Sequence, residues 1–200
     1  MAKASARSSA VSRTTNETNI SLKFNVDGQG KAEIHTGVPF LDHMLTLFTV
    51  HGFFDLELSA EGDTEIDDHH TVEDIGICLG QAIHQALEGK RAIRRYGSSA
   101  VPMDETLVRV TLDLSNRPFL HYGVEISDRK VGSFDTALAE EFLRALAVHA
   151  GLTLHVELAH GENAHHIIEA VFKALAKALD MATTFEPRLK KKPLSSKGVL

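Results

Sequence analysis

A single cysteine, Cys78, in 200 residues excludes an intramolecular disulfide framework and any zinc site built from thiolates alone. Tryptophan is absent and tyrosine occurs only twice. No apolar run reaches the ~18 residues that a membrane span needs. Positive charge is also short: 21 Lys and Arg against 27 Asp and Glu leave a net charge of −6, which argues against a grip on nucleic acid. No Gly-rich loop ends in a Gly-Lys-Ser/Thr signature, and there is no nucleophile elbow. Asp27-Gly28-Gln29-Gly30 does not open a helix, so it is no dinucleotide fingerprint. Met1 to Ser12 is short and weakly basic, lacks an apolar stretch, and reads as a disordered tail rather than a secretory signal. Together these absences imply a soluble, cytoplasmic protein.

Histidine is what the chain has in excess, with 12 residues scattered and partly doubled. Their setting is an α/β chain. Ile20, Leu22, Phe24 and Val26 alternate as a half-buried strand does, residues 27–30 make a turn, and Lys31 to His35 reads as the return strand. Pro39 opens a helix stopped by Gly52, Phe53 to Ala60 is a strand, and Asp67 or Asp68 caps a helix to about Leu87. The second half reads alike: strands Leu107 to Leu114 and Phe119 to Ile126, helix Thr136 to Ala150, strand Leu152 to Leu158, helix Asn163 to Met181. Residues match as well. Glu17-Thr18 answers Glu105-Thr106, and His43 lies eight residues before His51 as Glu141 does before His149. His69-His70-Thr71-Val72-Glu73 answers His165-His166-Ile167-Ile168-Glu169. The chain is an internal duplication of two ββαβα halves, each forming a four-stranded sheet with helices on one face. Residues 1–12 are assigned to the tail, 13–95 and 96–186 to the halves, and 187–200 to a C-terminal tail.

The doubled histidines carry the chemistry. On a helix His69, His70 and Glu73 point at about 0°, 100° and 40°, so His69 and Glu73 can share one ion. His70 is aimed elsewhere, toward a second ion or one approached from another side. Imidazoles with a carboxylate suit Mn²⁺, Fe²⁺ or Zn²⁺. A lone pattern of this kind is ordinarily a polar helix face, but a duplication kept for packing alone would preserve apolar positions, not imidazole pairs. His43 and Glu141 are the natural further ligands. His51 and His149 are weaker candidates, because each sits where a cation favours the end of a helix dipole. His35, His84, His121, His155 and His160 are read as surface or sheet-edge residues. Arg94-Arg95-Tyr96-Gly97, Arg117 and Ser195-Ser196-Lys197-Gly198 together offer what a phosphate needs, whereas Lys190-Lys191-Lys192 reads as a solvated tail.

These residues resemble the imidazoleglycerol-phosphate dehydratase family of histidine biosynthesis. The resemblance is carried by residues 13–18 (Arg-Thr-Thr-Asn-Glu-Thr), 40–45 (Phe-Leu-Asp-His-Met-Leu) and 67–74 (Asp-Asp-His-His-Thr-Val-Glu-Asp). It continues in Tyr96-Gly97-Ser98-Ser99, Ser115-Asn116-Arg117-Pro118, His165-His166-Ile167-Ile168-Glu169-Ala170 and the closing Ser196-Lys197-Gly198-Val199-Leu200. It implies a duplicated fold like domain 2 of ribosomal protein S5, and a 24-mer built from trimers with two Mn²⁺ in each site between subunits. By position it implies metal ligands at His43, His69, His70, Glu73, Glu141, His165, His166 and Glu169. Substrate contacts would be Glu17, Arg95, Arg117, Ser195, Ser196 and Lys197, with Glu17, His43, His69 and Glu73 in catalysis. Glu141 departs from the family, many members of which have histidine there; a carboxylate can replace it at Mn²⁺. The phosphatase domain of some bifunctional members has no counterpart in the 200 residues.

The implied reaction dehydrates D-erythro-imidazole glycerol phosphate to imidazole acetol phosphate. The C–H bond to be broken is not beside a carbonyl, so enolisation cannot start the reaction. Metal on the ring nitrogens would stabilise an imidazolate able to expel hydroxide. Glu17 would transfer the proton, with a metal-bound water or a histidine as the alternative. A metal-dependent hydrolase and a non-catalytic metal-binding protein are the competing classes; a binding protein needs no cations gathered beside its metal.

Overall fold

A computed structural model describes residues 7–190 and 192–199. The first sheet takes β1 (Ser8–Thr14), β2 (Thr18–Asn25), β3 (Ala32–His35) and β4 (Asp55–Gly62), in the order β1-β2-β4-β3. Helices α1 (Pro39–Gly52) and α2 (His69–Ala86) lie on its inner face. The second sheet repeats this with β5 (Tyr96–Met103), β6 (Thr106–Asp113), β7 (Phe119–Gly123) and β10 (Thr153–His160), in the order β5-β6-β10-β7. Between β7 and α3 (Leu138–Ala150) a small hairpin pairs β8 (Lys130–Val131) with β9 (Phe134–Asp135), and α4 (Ala164–Thr183) closes the half. The layers run sheet, helices, helices, sheet.

Each half is therefore βββαβα rather than ββαβα. The strand missing from the periodicity is the outermost one in both sheets. Burial alternates along both strands, but β1 turns Ser9, Val11 and Arg13 inward and β5 turns Gly97, Ser99, Val101 and Met103, so the residues themselves do not show the apolar alternation of a half-buried strand. β1 nonetheless pairs residue for residue with β2, from Ser8 opposite Asn25 to Thr14 opposite Asn19. Residues 8–12 thus belong to the sheet, which corrects the expected tail; residues 1–6 lie outside the described chain.

The expected hairpin between residues 20–26 and 31–35 also fails. β3 runs parallel to β4, with Ile34 opposite Leu58, and β4 sits between β3 and β2. The reason is topological: strand, helix and parallel strand form one crossover unit, and α1 carries the chain over the sheet before β4 returns beside β3. α1 does end at Gly52, but the left-handed residue is Phe53 (φ 56°), whereas α3 is closed by Gly151 itself (φ 66°).

Helices pack across the halves, α1 on α4 and α2 on α3. Each pair runs parallel: Gly76 then Gly80 meet Phe142 then Leu146, and Phe40 then His51 face His165 then Lys173. Gly76 and Gly80 let α2 approach α3 closely: a Cβ on Gly76 would stand 2.7 Å from the Phe142 carbonyl oxygen, and one on Gly80 would stand 2.9 Å from that of Leu146. Parallel packing sets the N-termini of paired helices side by side. Gly76→Ala should therefore lower stability by about 2 kcal/mol in urea denaturation, because overpacking outweighs the ~1 kcal/mol that alanine normally adds to a helix.

Candidate metal and phosphate site

The imidazole pairs open α2 and α4, where unpaired backbone N–H groups need acceptors. Asp67 Oδ1 accepts the His69 N–H at 2.8 Å, and Asn163 Oδ1 accepts those of His165 at 2.9 Å and His166 at 3.3 Å. Asp68 holds the N-cap position itself but makes no capping bond.

At α4 a donor set is already assembled. His43 Nε2, from α1, stands 3.4 Å from Glu169 Oε2, and His165 Nε2 stands 3.1 Å from the same oxygen. The three donor atoms lie within 4.8 Å of one another. Phe40 sets its ring against the His165 ring at 76°, with centroids 5.3 Å apart. Burial alone would raise the pKa of Glu169, but the hydrogen bond and charge of Lys173, whose Nζ is 2.6 Å from Oε1, outweigh it with help from His165 and His43. The carboxyl is held below its usual range and stays ionised.

The matching place on α2 is more open. His69 Nε2 is 3.5 Å from Glu73 Oε2, and Glu141 lines the same cleft of about 710 Å³ as His69, with Asp67, Asp68 and Lys130 at its rim. His70 and His166 point away from their neighbours, their rings nearly perpendicular to those of His69 and His165. His70 Nδ1 meets Asp63 at 3.0 Å and His166 Nδ1 meets Glu105 at 2.8 Å. An ionised carboxylate only accepts, so each Nδ1–H donates, and in the neutral ring each Nε2 then carries the lone pair. These hydrogen bonds raise the pKa of both imidazoles. Glu17 Oε1 lies 3.9 Å from the His70 Nε2, with its side chain 53% exposed. Sequence reading gives Asp63 no role and marks Glu105 only as the repeat partner of Glu17; the repeat itself was the signal that could have placed both.

The weaker candidates lie elsewhere. His51 is held below its ordinary pKa by burial and by Lys173 and Lys177, further along α4 than Glu169, while His149 packs its Cβ on Gly80. His35, His84, His121, His155 and His160 are all exposed. Cys78 is buried and its thiol is pushed up to about 11, which removes it as a nucleophile.

The cationic residues gather at another end of the molecule. Arg95 Nε and Nη2 fork onto Asp113 at 2.6 and 2.9 Å, and Nη1 donates to the Leu194 carbonyl at 2.7 Å. Arg95 thus pins the C-terminal segment, and Ser195 and Ser196 share a cleft with it of about 690 Å³. Arg117 is 69% exposed, with Nη2 3.7 Å from Asp113. Lys197 is exposed, its backbone N–H donating to Ser195 Oγ at 3.2 Å. Lys192 is not a free tail residue: its carbonyl accepts the Ala92 N–H at 3.0 Å and it lines the Arg95 cleft; Lys191 lies outside the described residues.

The family model for imidazoleglycerol-phosphate dehydratase matches residues 36–179. An imidazoleglycerol-phosphate dehydratase of Halalkalibacterium halodurans is 59% identical over 194 residues, covering 97% of this chain and 100% of its own. The chain belongs to the imidazoleglycerol-phosphate dehydratase family. It is a hydro-lyase. The Desulfotalea psychrophila relative is also 59% identical, covering 97% of this chain and 96% of its own. The crystal structure of the Staphylococcus aureus dehydratase superposes with a TM-score of 0.81 at 46% identity, covering 89% of this chain and 99% of that one. That of the Pyrococcus furiosus dehydratase, in complex with (S)-C348, gives 0.82 at 40% identity, covering 95% and 100%.

Within this member of the dehydratase family, the Arg95–Asp113 fork is a nearly buried ion pair, with 10% and 15% side-chain exposure. Asp113→Ala should cost about 3 kcal/mol in urea unfolding, because it leaves the guanidinium without its counter-charge.

Proposed function

We propose that the chain dehydrates imidazole glycerol phosphate to imidazole acetol phosphate for histidine biosynthesis in the cytoplasm, using two Mn²⁺ per site in a 24-copy assembly whose sites are shared between subunits. Family membership supports the dehydration itself. Among the described residues, no helix is long and apolar enough to cross a membrane. The observation that carries the metal reading is the convergence of His43, His165 and Glu169 on a space within 4.8 Å.

Two imidazoles and an ionised carboxylate fit a divalent ion of intermediate softness. His43, His165 and Glu169 would hold one ion, and His69, Glu73 and Glu141 the other. His70 and His166, each with its Nε2 lone pair, would complete sets from a neighbouring copy. Bound metal would supply positive charge against the substrate ring, favouring its deprotonated form.

The protein's own groups account for the rest of the step. Hydroxide leaves the carbon beside the ring, and the proton comes off the next carbon to give an enol that becomes the ketone. Glu17, 3.9 Å from the His70 Nε2 and half exposed, would take that proton. Arg117, with Ser195, Ser196 and Lys197 held in position by Arg95, would fix the phosphate and so align the carbon chain.

Spacing supports a shared site. Glu105 precedes β6 at the histidine end, and Asp113, which holds Arg95, closes the strand at the other. Eight residues of strand place these ends about 23 Å apart. That is far longer than the three-carbon chain between an imidazole ring and its phosphate. One copy cannot bring both to one molecule of substrate.

Incubation of Mn²⁺-loaded protein with imidazole glycerol phosphate should release imidazole acetol phosphate, and its absence would sink this reading. Glu17→Gln should lower kcat by roughly 10²- to 10⁴-fold with little change in KM. Chelation should abolish turnover and loosen the assembly on size-exclusion chromatography, and Mn²⁺ should restore both.

A further inference from the structure

The two halves use the same carboxylate position differently. Glu17 and Glu105 stand just before β2 and β6, and His70 and His166 are the second histidines of the pairs that open α2 and α4. The third point of correspondence follows β4 and β10. Gly62 and Gly161 both sit against the threonine that follows the glutamate, Thr18 in one half and Thr106 in the other. Asp63 and Glu162, the residues after these glycines, are therefore counterparts.

In the second half Glu105 does the orienting. Its Oε2 takes the His166 Nδ1–H at 2.8 Å, and its Oε1 accepts the backbone N–H groups of Glu162 at 3.2 Å and Asn163 at 2.9 Å. Oε1 also accepts the Thr106 hydroxyl at 3.0 Å, so both oxygens are engaged in structural hydrogen bonds, and these hold its pKa far below the usual carboxylate range. The carboxylate near the His166 Nε2 is Asp104, at 3.9 Å and 80% exposed.

In the first half the corresponding backbone N–H, that of Asp63, goes to the Glu17 main-chain carbonyl at 3.1 Å instead of to its carboxylate. The His70 Nδ1 is taken by Asp63, through both oxygens at 3.0 and 3.2 Å, with the Asp63 side chain 15% exposed. The Glu17 side chain makes no hydrogen bond among the described residues and stands instead on the Nε2 side of the same ring, 3.9 Å away.

We propose that Asp63 is a positioning residue that performs for His70 the task Glu105 performs for His166, and that this exchange is what leaves the Glu17 carboxylate free for proton transfer. The proposal rests on the reading above, in which His70 and His166 are ligands and Glu17 moves the proton. A carboxylate on Nδ1 fixes the tautomer and the ring angle, so its removal weakens metal binding without touching the reacting carbons. A free carboxylate on the Nε2 side has the opposite signature.

The test separates the two roles on the full-length protein. Mn²⁺ affinity is measured by equilibrium dialysis and kcat at saturating Mn²⁺, for Asp63→Asn, Asp63→Ala, Glu105→Gln and Glu17→Gln. Asp63→Asn and Glu105→Gln should each weaken Mn²⁺ binding by roughly 10- to 100-fold, with kcat at saturating metal within a few-fold of the parent. Asp63→Ala, which leaves no amide to mispair with the ring, should show the same loss. Glu17→Gln should bind Mn²⁺ as the parent does while kcat falls at least about 100-fold. Wild-type Mn²⁺ affinity in both Asp63 variants overturns the proposal, as does a loss of affinity in Glu17→Gln equal to that in Glu105→Gln. Full kcat in Glu17→Gln overturns the proton-transfer reading and the second half of the proposal together, while the dialysis results still decide what Asp63 does.

Discussion

Everything at the candidate metal centre depends on helices of one half packing against helices of the other. α4 brings His165 and Glu169, but the third donor, His43, comes from α1 in the first half. The cleft beside His69 in α2 is likewise completed by Glu141 of α3. Neither half can present a full donor set alone. The glycines at positions 76 and 80 bear on this packing, because they fix how near α2 lies to α3. Parallel packing is the other requirement: antiparallel partners would put His43 and Glu141 at the opposite end of the helix layer from the imidazole pairs they accompany.

Electrostatics divides the polar groups into those that are spent and those that are free. Glu169 is kept ionised by Lys173, Glu105 is engaged by an imidazole, a hydroxyl and two backbone N–H groups, and Arg95 is engaged by Asp113 and a carbonyl. Glu17 and Arg117 remain exposed with loose partners. A group locked by short hydrogen bonds on every side cannot also follow a changing substrate. On the proposed reading Arg95 would therefore serve the phosphate mainly by holding the C-terminal segment, and Arg117 would be the arginine that meets it.

What was legible in the sequence follows from how local each signal is. The imidazole pairs, the helices under them and the duplication are local patterns repeated at a near-constant offset, and the structure places them accordingly. The edge strands β1 and β5 were illegible because an edge strand packed on one side needs few apolar residues; Ser8–Thr14 is mostly Ser, Thr and Arg. The order of β3 and β4 depends on a crossover, which periodicity cannot report. Asp63 and Asp113 escaped notice because an isolated aspartate gains its role only when the fold sets it opposite an imidazole or a guanidinium. The offset between repeats held the clue to Asp63, since Glu105 had a counterpart but the environments of the two glutamates were not comparable until both were folded.

The separation of the two ends of β6 also bears on how copies must meet. On the proposed reading, each copy carries its metal donors at one end of the sheet and its phosphate-binding cations at the other, so a productive contact joins unlike surfaces. Head-to-tail contacts of this kind either close into a ring or run on as an open filament. A soluble enzyme with every site complete requires closure, because the terminal copies of any open chain would each hold half a site. A three-fold ring is the simplest closed arrangement consistent with assembly from trimers, and further contacts between rings can then add stability without creating new chemistry. On the same reading the net charge of −6 is compatible with this division: the cations meant for phosphate would be gathered at one end, and the surplus of acidic groups would keep closed assemblies apart.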